Sequence, residues 1–167
     1  MDGLYAESHV KKKVTMKDNL IKFGIIGGMV VFFGLGFLTF NTVLLIVGVI
    51  FLGLGYFVLP RLATEYEYVF CDGQLDFDKI SGGMKRKTLL RVDFEKLVVV
   101  APKNSSSLDG YRHNGVEVKD FSSLMPDAKV YGLVITGGDK NTMIYFEPNE
   151  KMLAAMKQKA PRKIMEY

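Results

Sequence analysis

Two histidines and scattered carboxylates are the residues of this chain most suited to acid–base or metal chemistry. His9 lies near the N-terminus and His113 in a polar segment, and neither has a second His or Cys at the spacing of a transition-metal site. Asp109, Tyr111 and His113 are close enough in sequence to form an acid–base group, but a solvated loop is the commoner explanation. The sequence therefore predicts no catalytic residue, no metal ligand and no cofactor.

Three aspartates come close to the spacing of a calcium-binding loop, namely Asp72, Asp76 and Asp78. They lie across a hairpin with hydrophobic alternation, and the acidic ligand that such a loop needs downstream is missing. The glycine pairs at 82–83 and 137–138 are typical of turns between strands, since no phosphate-binding or dinucleotide-binding pattern surrounds them. We therefore predict structural roles for the three aspartates and for the two glycine pairs.

The most suggestive group is basic and flanks the turn at residues 81–84. Its members are Lys79, Lys85, Arg86, Lys87 and Arg91. A hairpin of this kind can contact anionic phospholipid headgroups when it lies beside a membrane. Alternatively, these residues only keep the strand ends soluble, because basic residues at sheet edges also discourage aggregation.

Charge and cysteine content narrow the class of partner and the compartment. Residues 1–22 carry five lysines against three acidic residues, and residues 61–167 carry 17 basic against 15 acidic residues, so each part contributes +2 to the net charge of +4. The downstream domain is thus nearly neutral, which argues against nucleic acid as a partner. Cys71 is the single cysteine of the sequence, which excludes an internal disulfide, and a free thiol fits a reducing cytoplasm.

The basic group follows the dominant feature of the chain, a block of 38 residues (23–60) without one formal charge. A single helix of that length would extend about 57 Å, nearly twice the roughly 30 Å hydrocarbon core of a bilayer. Asn41, a residue that tolerates tight turns, lies at the middle of the block. We therefore predict a transmembrane helical hairpin over residues 21–60, with spans at about 21–39 and 43–60.

The charges on either side of the block predict its orientation. Five lysines precede the first span, Arg61 follows the second, and the turn near Asn41 has no charge. Because cytoplasmic flanks are enriched in Lys and Arg, we expect a two-span protein of the cell membrane with both termini in the cytoplasm. The block from residue 23 to residue 60 contains no Asp, Glu, Lys, Arg or His, which favours an anchor over a transport path.

Glycine is dense within the block, and Gly24 and Gly28 have a small-xxx-small spacing. This spacing lets helices approach closely, either the two spans of one hairpin or the helices of two copies in a homodimer.

The segment before the block, residues 1–20, is predicted to be a basic cytoplasmic tail. Its first nine residues look irregular, and from Val10 onward the apolar residues recur near helical spacing. A short amphipathic segment lying on an anionic inner leaflet explains this pattern. The alternative is that the lysines there act only as topology determinants.

After the block, residues 61–167 are predicted to form a cytoplasmic β-rich domain that ends in a helix, so the fold class is α+β. The sequence Asp72-Gly73 predicts a tight hairpin turn. Residues 103–127 are expected to be a long polar loop with a helical turn around 119–124, and Asn149 is expected to cap a helix over about 150–160. Six strands are expected, over residues 65–70, 74–78, 85–92, 97–101, 129–136 and 142–146.

Two passages of this domain carry a family resemblance: residues 65–80, and residues 131–136 with the chain onward through Pro148 to the closing helix. They resemble the bacterial pleckstrin-homology-like (PH-like) domains that follow a pair of membrane helices in many small bacterial proteins. With matches at residues 120–123 and 160–163, the whole chain also resembles a clostridial family of small two-span membrane proteins of unknown function. The resemblance implies an open barrel or bent sheet closed by a helix, and it implies no activity.

The function that these features favour is non-enzymatic. We expect an integral membrane protein that presents a cytoplasmic PH-like domain to a protein or a lipid. The expected partners are the lipid bilayer, anionic phospholipid headgroups, and a membrane protein or a second copy of the chain. The alternative is an accessory subunit of a larger membrane transporter or envelope enzyme complex.

Overall fold

The computed structural model describes residues 4–82, 85–112, 116–137 and 140–166. The chain divides into two compact units. We call them the hairpin unit (Lys13–Thr64 and Ser81–Lys85) and the β unit (Met1–Lys12, Glu65–Ile80 and Arg86–Tyr167).

The hairpin unit contains two long apolar helices, α1 (Met16–Thr39) and α2 (Thr42–Leu62), each long and apolar enough to cross a membrane. Helix α1 begins five residues before the predicted span, because Thr15 and Asp18 form a capping box that satisfies its first backbone N–H groups. The Oδ1 atom of Asn41 accepts a hydrogen bond from the Val43 backbone N–H at 3.0 Å and so caps α2. The predicted turn at Asn41 is therefore confirmed.

The predicted end of the second helix at Pro60 is wrong by two residues. Pro60 lies inside α2, which ends at Leu62 with Arg61 in its last turn. Pro60 cannot donate a backbone hydrogen bond, but in the last turn few helical hydrogen bonds follow it, and the helix continues for two more residues.

Glycines at three levels let the two helices pack closely. A Cβ atom at Gly36 would lie 2.7 Å from Leu45 Cδ2, and one at Gly48 would lie 3.0 Å from the ring of Phe33. Gly28 lies similarly against the ring of Phe51, whereas a Cβ at Gly24 would meet nothing within 4 Å. The two members of the small-xxx-small pair thus have different roles, and Gly28 serves the packing within one hairpin.

The first sheet of the β unit has the strand order β1-β2-β3-β4. Its strands are β1 (Tyr5–Lys11), β2 (Thr64–Cys71), β3 (Gln74–Ser81) and β4 (Lys85–Asp93). Strands β2 and β3 are joined by Asp72 and Gly73 with φ of 47° and 97°, the left-handed pair that a two-residue hairpin turn requires.

Strand β1 corrects the prediction for the N-terminal tail. Residues 5–11 are not irregular, because they pair antiparallel with β2, Tyr5 opposite Cys71 and Lys11 opposite Glu65, and helical structure begins only at Met16. Ala6 and Ser8 are buried while their neighbours are exposed, the period-two pattern of a half-buried strand. The helical hairpin is therefore an insertion between two strands that are neighbours in one sheet.

The second sheet has the strand order β5-β7-β8-β6. Its strands are β5 (Leu97–Pro102), β6 (Glu117–Asp120), β7 (Tyr131–Gly137) and β8 (Lys140–Phe146), with β6 parallel to β8. Over the described residues the strands number eight, and β1 and β6 are the two that the sequence did not predict. The predicted helical turn around 119–124 is wrong, because residues 117–120 form β6 and the helical turn of this segment lies at Ser106–Tyr111.

A C-terminal helix, α3 (Glu150–Lys159), completes the β unit and is capped by Asn149 as predicted. Its Met152 and Met156 belong to the hydrophobic core with aromatic residues from both sheets. The rings of Tyr68, Phe77 and Phe146 meet edge to face with centroids 5.6 Å apart, which fixes the two sheets against each other. The predicted α+β fold is confirmed.

Candidate functional site

The five basic residues predicted to flank one turn lie on two adjacent strands. Lys79 is on β3, and the four others, Lys85, Arg86, Lys87 and Arg91, are on β4. Their environments differ, and the difference separates the two arginines from the three lysines.

Arg91 is engaged by a carboxylate on the neighbouring strand. Its Nε and Nη2 atoms donate to Asp76 Oδ1 and Oδ2, both at 2.9 Å, in a bidentate pair. Partial burial raises the pKa of Asp76, but the hydrogen bonds from Arg91 and Gln74 outweigh it and hold that pKa below its usual value. Arg91 therefore stabilises the β3–β4 contact through two of its guanidinium donors.

Arg86 has an even stronger structural role. Its Nε atom lies 2.8 Å from Asp78 Oδ2, and its Nη2 atom contacts Glu67 Oε2. Both carboxylates are buried, with Asp78 7% and Glu67 6% exposed. A buried carboxylate is costly without a counterion, so Arg86 compensates two charges on the outer face of the first sheet.

Lys79, Lys85 and Lys87 make no ion pair with any other described residue, and Lys85 and Lys87 are exposed. Within the hairpin unit, the turn before Lys85 packs on the end of α2. The Gly82 backbone N–H donates to the Ala63 carbonyl at 3.1 Å, and a Cβ at Gly82 would lie 2.9 Å from Pro60 Cβ. Gly82 also has a φ of +62°, which glycine adopts without strain.

The same outer face extends to β1, where it contains a group that the sequence did not predict. His9 Nε2 lies 3.3 Å from Glu67 Oε1 and 3.7 Å from Glu7 Oε1. The Tyr5 hydroxyl donates to Glu7 Oε2 at 2.6 Å, a bond that lowers the pKa of Glu7 and raises that of Tyr5. We call Glu7, His9 and Glu67 the outer-face cluster.

The cluster was missed because the first nine residues did not look regular. The alternation of Ala6, Ser8 and Val10 with Glu7 and His9 is a strand pattern, and it places Glu7 and His9 on one face. Glu67 enters only through the pairing of β1 with β2, which neither segment reveals alone.

The remaining sequence candidates do not come together as sites. Asp109 accepts a hydrogen bond from Arg112 at 2.9 Å, while His113 lies outside the described residues, as do Gly83 and Gly138. The three aspartates with calcium-like spacing have separate basic partners: Lys159 for Asp72, Arg91 for Asp76 and Arg86 for Asp78.

Two four-stranded sheets and a C-terminal helix, with two long apolar helices inserted between β1 and β2, define a PH-like domain with a helical hairpin. The chain belongs to the family described as Bacterial PH-like domain (DUF6106), whose model matches residues 2–166. The resemblance to bacterial PH-like domains is thereby confirmed, whereas the clostridial origin stays a prediction. Neither the curated proteins nor the solved structures contain a significant match to the chain.

The ion pairs of Arg86 lead to a prediction about stability. Replacing Arg86 with alanine leaves Glu67 and Asp78 buried without their counterion, and we expect the free energy of unfolding to fall by about 3 kcal/mol. Urea denaturation of the full chain in detergent, followed by the near-ultraviolet circular dichroism of tyrosine, measures the change.

Lys87→Ala is the matched control, because Lys87 is exposed on the same strand and should change stability by about 0.5 kcal/mol or less. Combining Arg86→Met with Glu67→Gln and Asp78→Asn removes all three charges and should recover much of the loss. Equal effects of Arg86→Ala and Lys87→Ala would contradict the structural role of Arg86.

Proposed function

We propose that this protein is a non-enzymatic integral membrane protein, anchored by α1 and α2, that presents its PH-like domain at the cytoplasmic membrane surface. The observation that carries the proposal is the exposure of the two helices. Of the 18-residue apolar stretch of α1, only 11% is buried within the chain, and of the corresponding stretch of α2 only 6% is buried. The core helix of a soluble protein is mostly buried, so these apolar surfaces require another covering, which lipid provides.

The lengths of the helices support the same proposal. Helices of 24 and 21 residues extend about 36 Å and 32 Å, sufficient for a hydrocarbon core of roughly 30 Å. The side chains between them, at Phe40 and Asn41, carry no charge that would oppose transfer across the bilayer.

The proposed orientation places both ends of the hairpin on the cytoplasmic side. The lysine-rich segment before α1 and Arg61 at the end of α2 support it through the bias of positive charge toward the cytoplasm. The pairing of β1 with β2 independently supports the placement of both ends on one side, because strands that are hydrogen-bonded neighbours cannot lie on opposite sides of a bilayer.

Anionic phospholipid is the proposed partner of the basic turn. Lys79, Lys85 and Lys87 have no carboxylate partner in the described part of the chain, and the turn before Lys85 packs on the end of a proposed membrane helix. A turn held there lies at headgroup depth, where each lysine contributes about 1 kcal/mol on an anionic leaflet. We assign this role to the lysines first, because the guanidinium groups of Arg86 and Arg91 already pair with carboxylates of the same sheet.

The accessory-subunit alternative has no support from the described structure or from the family match. A large stoichiometric partner that copurifies after mild detergent extraction would favour it. A monomer or dimer of the chain alone in that extract would favour the anchored PH-like domain.

Cysteine labelling tests the topology. In a Cys71→Ser background, a cysteine at Lys140 in the β unit should stay unlabelled by a membrane-impermeant maleimide added to intact cells. A cysteine at Asn41, between the helices, should be labelled under the same conditions and is the matched control. Labelling at Lys140 from outside, or protection of both positions, would overturn the proposed orientation.

Lipid selectivity tests the basic turn. The full chain is reconstituted with equal amounts of phosphatidylcholine and phosphatidylglycerol, extracted in mild detergent, and its retained lipids are measured by mass spectrometry. Reversing the charges of Lys79, Lys85 and Lys87 should lower the retained ratio of phosphatidylglycerol to phosphatidylcholine about threefold.

The control for this experiment reverses Lys96, Lys129 and Lys151, which are exposed elsewhere in the β unit and change the net charge equally. An unchanged ratio in the first variant, or an equal fall in both, would contradict headgroup contact by the turn.

A further inference from the structure

Strand geometry brings the outer-face cluster together. Glu7 and His9 are two residues apart on β1 and therefore project from the same face of the sheet. Glu67 stands directly opposite His9 on β2, and side chains at opposite positions of antiparallel strands have Cβ atoms about 5 Å apart. The three side chains thus converge because of the register of the two strands.

The separations of their atoms fit a shared metal ion. The Nε2 atom of His9 and one carboxylate oxygen from each glutamate all lie within 4.8 Å of one another, and the two distances from Nε2 are 3.3 Å and 3.7 Å. Ligand atoms bound at about 2.0–2.1 Å to a tetrahedral zinc ion are about 3.4 Å apart. Small side-chain rotations are therefore sufficient to place all three atoms around one ion.

The second oxygen of each carboxylate contacts a different neighbouring side chain, which restrains the carboxylate group. Glu7 Oε2 accepts from the Tyr5 hydroxyl, and Glu67 Oε2 contacts the guanidinium of Arg86. In both glutamates Oε1 is the atom nearer His9. In metal sites, contacts from surrounding residues commonly hold the ligands in position. Surface acids that cluster by chance need no such contacts.

The ligand chemistry selects the class of ion. Imidazole nitrogen suits zinc, nickel, copper and iron, whereas calcium and magnesium prefer sets of oxygen ligands. The carboxylates of Glu7 and Glu67 offset the charge of a divalent ion. The charge of Arg86, which contacts Glu67, is also offset by Asp78. Glu7 and His9 are about half exposed, so water can take a fourth position.

From these observations we propose that Glu7, His9 and Glu67 bind one divalent transition-metal ion, with Zn²⁺ as the expected species. Such an ion would join β1 to β2 at the two segments that flank the helical hairpin in the chain. It would thereby add a metal-dependent link to a strand pair that already has backbone hydrogen bonds and the Lys11–Glu65 ion pair.

Metal titration of the full chain tests the proposal. The protein is purified in detergent without a polyhistidine tag, stripped with a chelator, and titrated with ZnCl₂ by isothermal calorimetry. We expect one high-affinity Zn²⁺ per chain, and we expect His9→Gln and Glu7→Gln each to weaken binding at least about tenfold. Tyr5→Phe keeps every ligand but removes the donor to Glu7 Oε2, and it should weaken binding about tenfold.

His113→Gln, which changes the other histidine of the chain, is the control and should leave the affinity unchanged. Co²⁺ gives a second readout, since a tetrahedral site produces strong visible absorption that should be present in the wild type and absent in His9→Gln. Circular dichroism of each variant checks that it has folded. Absence of stoichiometric binding, or equal affinity in the wild type and His9→Gln, would overturn the proposal.

Discussion

Pairing of β1 with β2 joins the two chain segments that enter and leave the helical hairpin. The seven residues of β1 are matched one to one with β2, from Tyr5 opposite Cys71 to Lys11 opposite Glu65. Because β1 ends at Lys11 and β2 begins at Thr64, the two helices form one long insertion in a strand-to-strand connection. A hairpin inserted in this way must start and finish on the same side of a bilayer, whatever its flanking charges favour. The proposed topology and the outer-face cluster both depend on this one strand pair.

The two faces of the first sheet carry different kinds of side chain, aromatic on the inner face and charged on the outer face. The inner face carries Tyr68, Phe70 and Phe77, which are fully buried against α3 and the second sheet. The outer face carries buried carboxylates, and Arg86 lies between Glu67 and Asp78 as their counterion. A basic residue near a proposed membrane surface is therefore not automatically a lipid contact. In this chain Arg86 and Arg91 pair with carboxylates of the sheet, and the lysines of the same strands are the groups proposed to meet headgroups.

Local patterns predicted most of the elements, and long-range pairing accounts for what they missed. The charge-free block, Asn41, the Asp72–Gly73 turn and the Asn149 cap act through neighbouring residues, so the sequence alone locates them. Strand β1 is seven residues long and carries charge on one face, and its partner lies beyond the whole helical insertion. Strand β6 has only four residues and is largely exposed. The contact of His9 with Glu67 could not be predicted without β1, and the ion pairs of Arg86 required the sheet register.

Disulfide formation across β1 and β2 tests the strand pairing most directly. Cysteines replace Lys11 and Glu65 in a Cys71→Ser chain, membranes are mildly oxidised, and the remaining thiols are counted by maleimide mass tagging. Directly opposed residues have Cα atoms about 4.5–5.5 Å apart, within the range of a disulfide, so this pair should lose both thiols. The control pairs Lys11 with Tyr66, which is buried on the inner face, and should keep its thiols. Oxidation of the Lys11–Glu65 pair no faster than that of the control would contradict the pairing of β1 with β2.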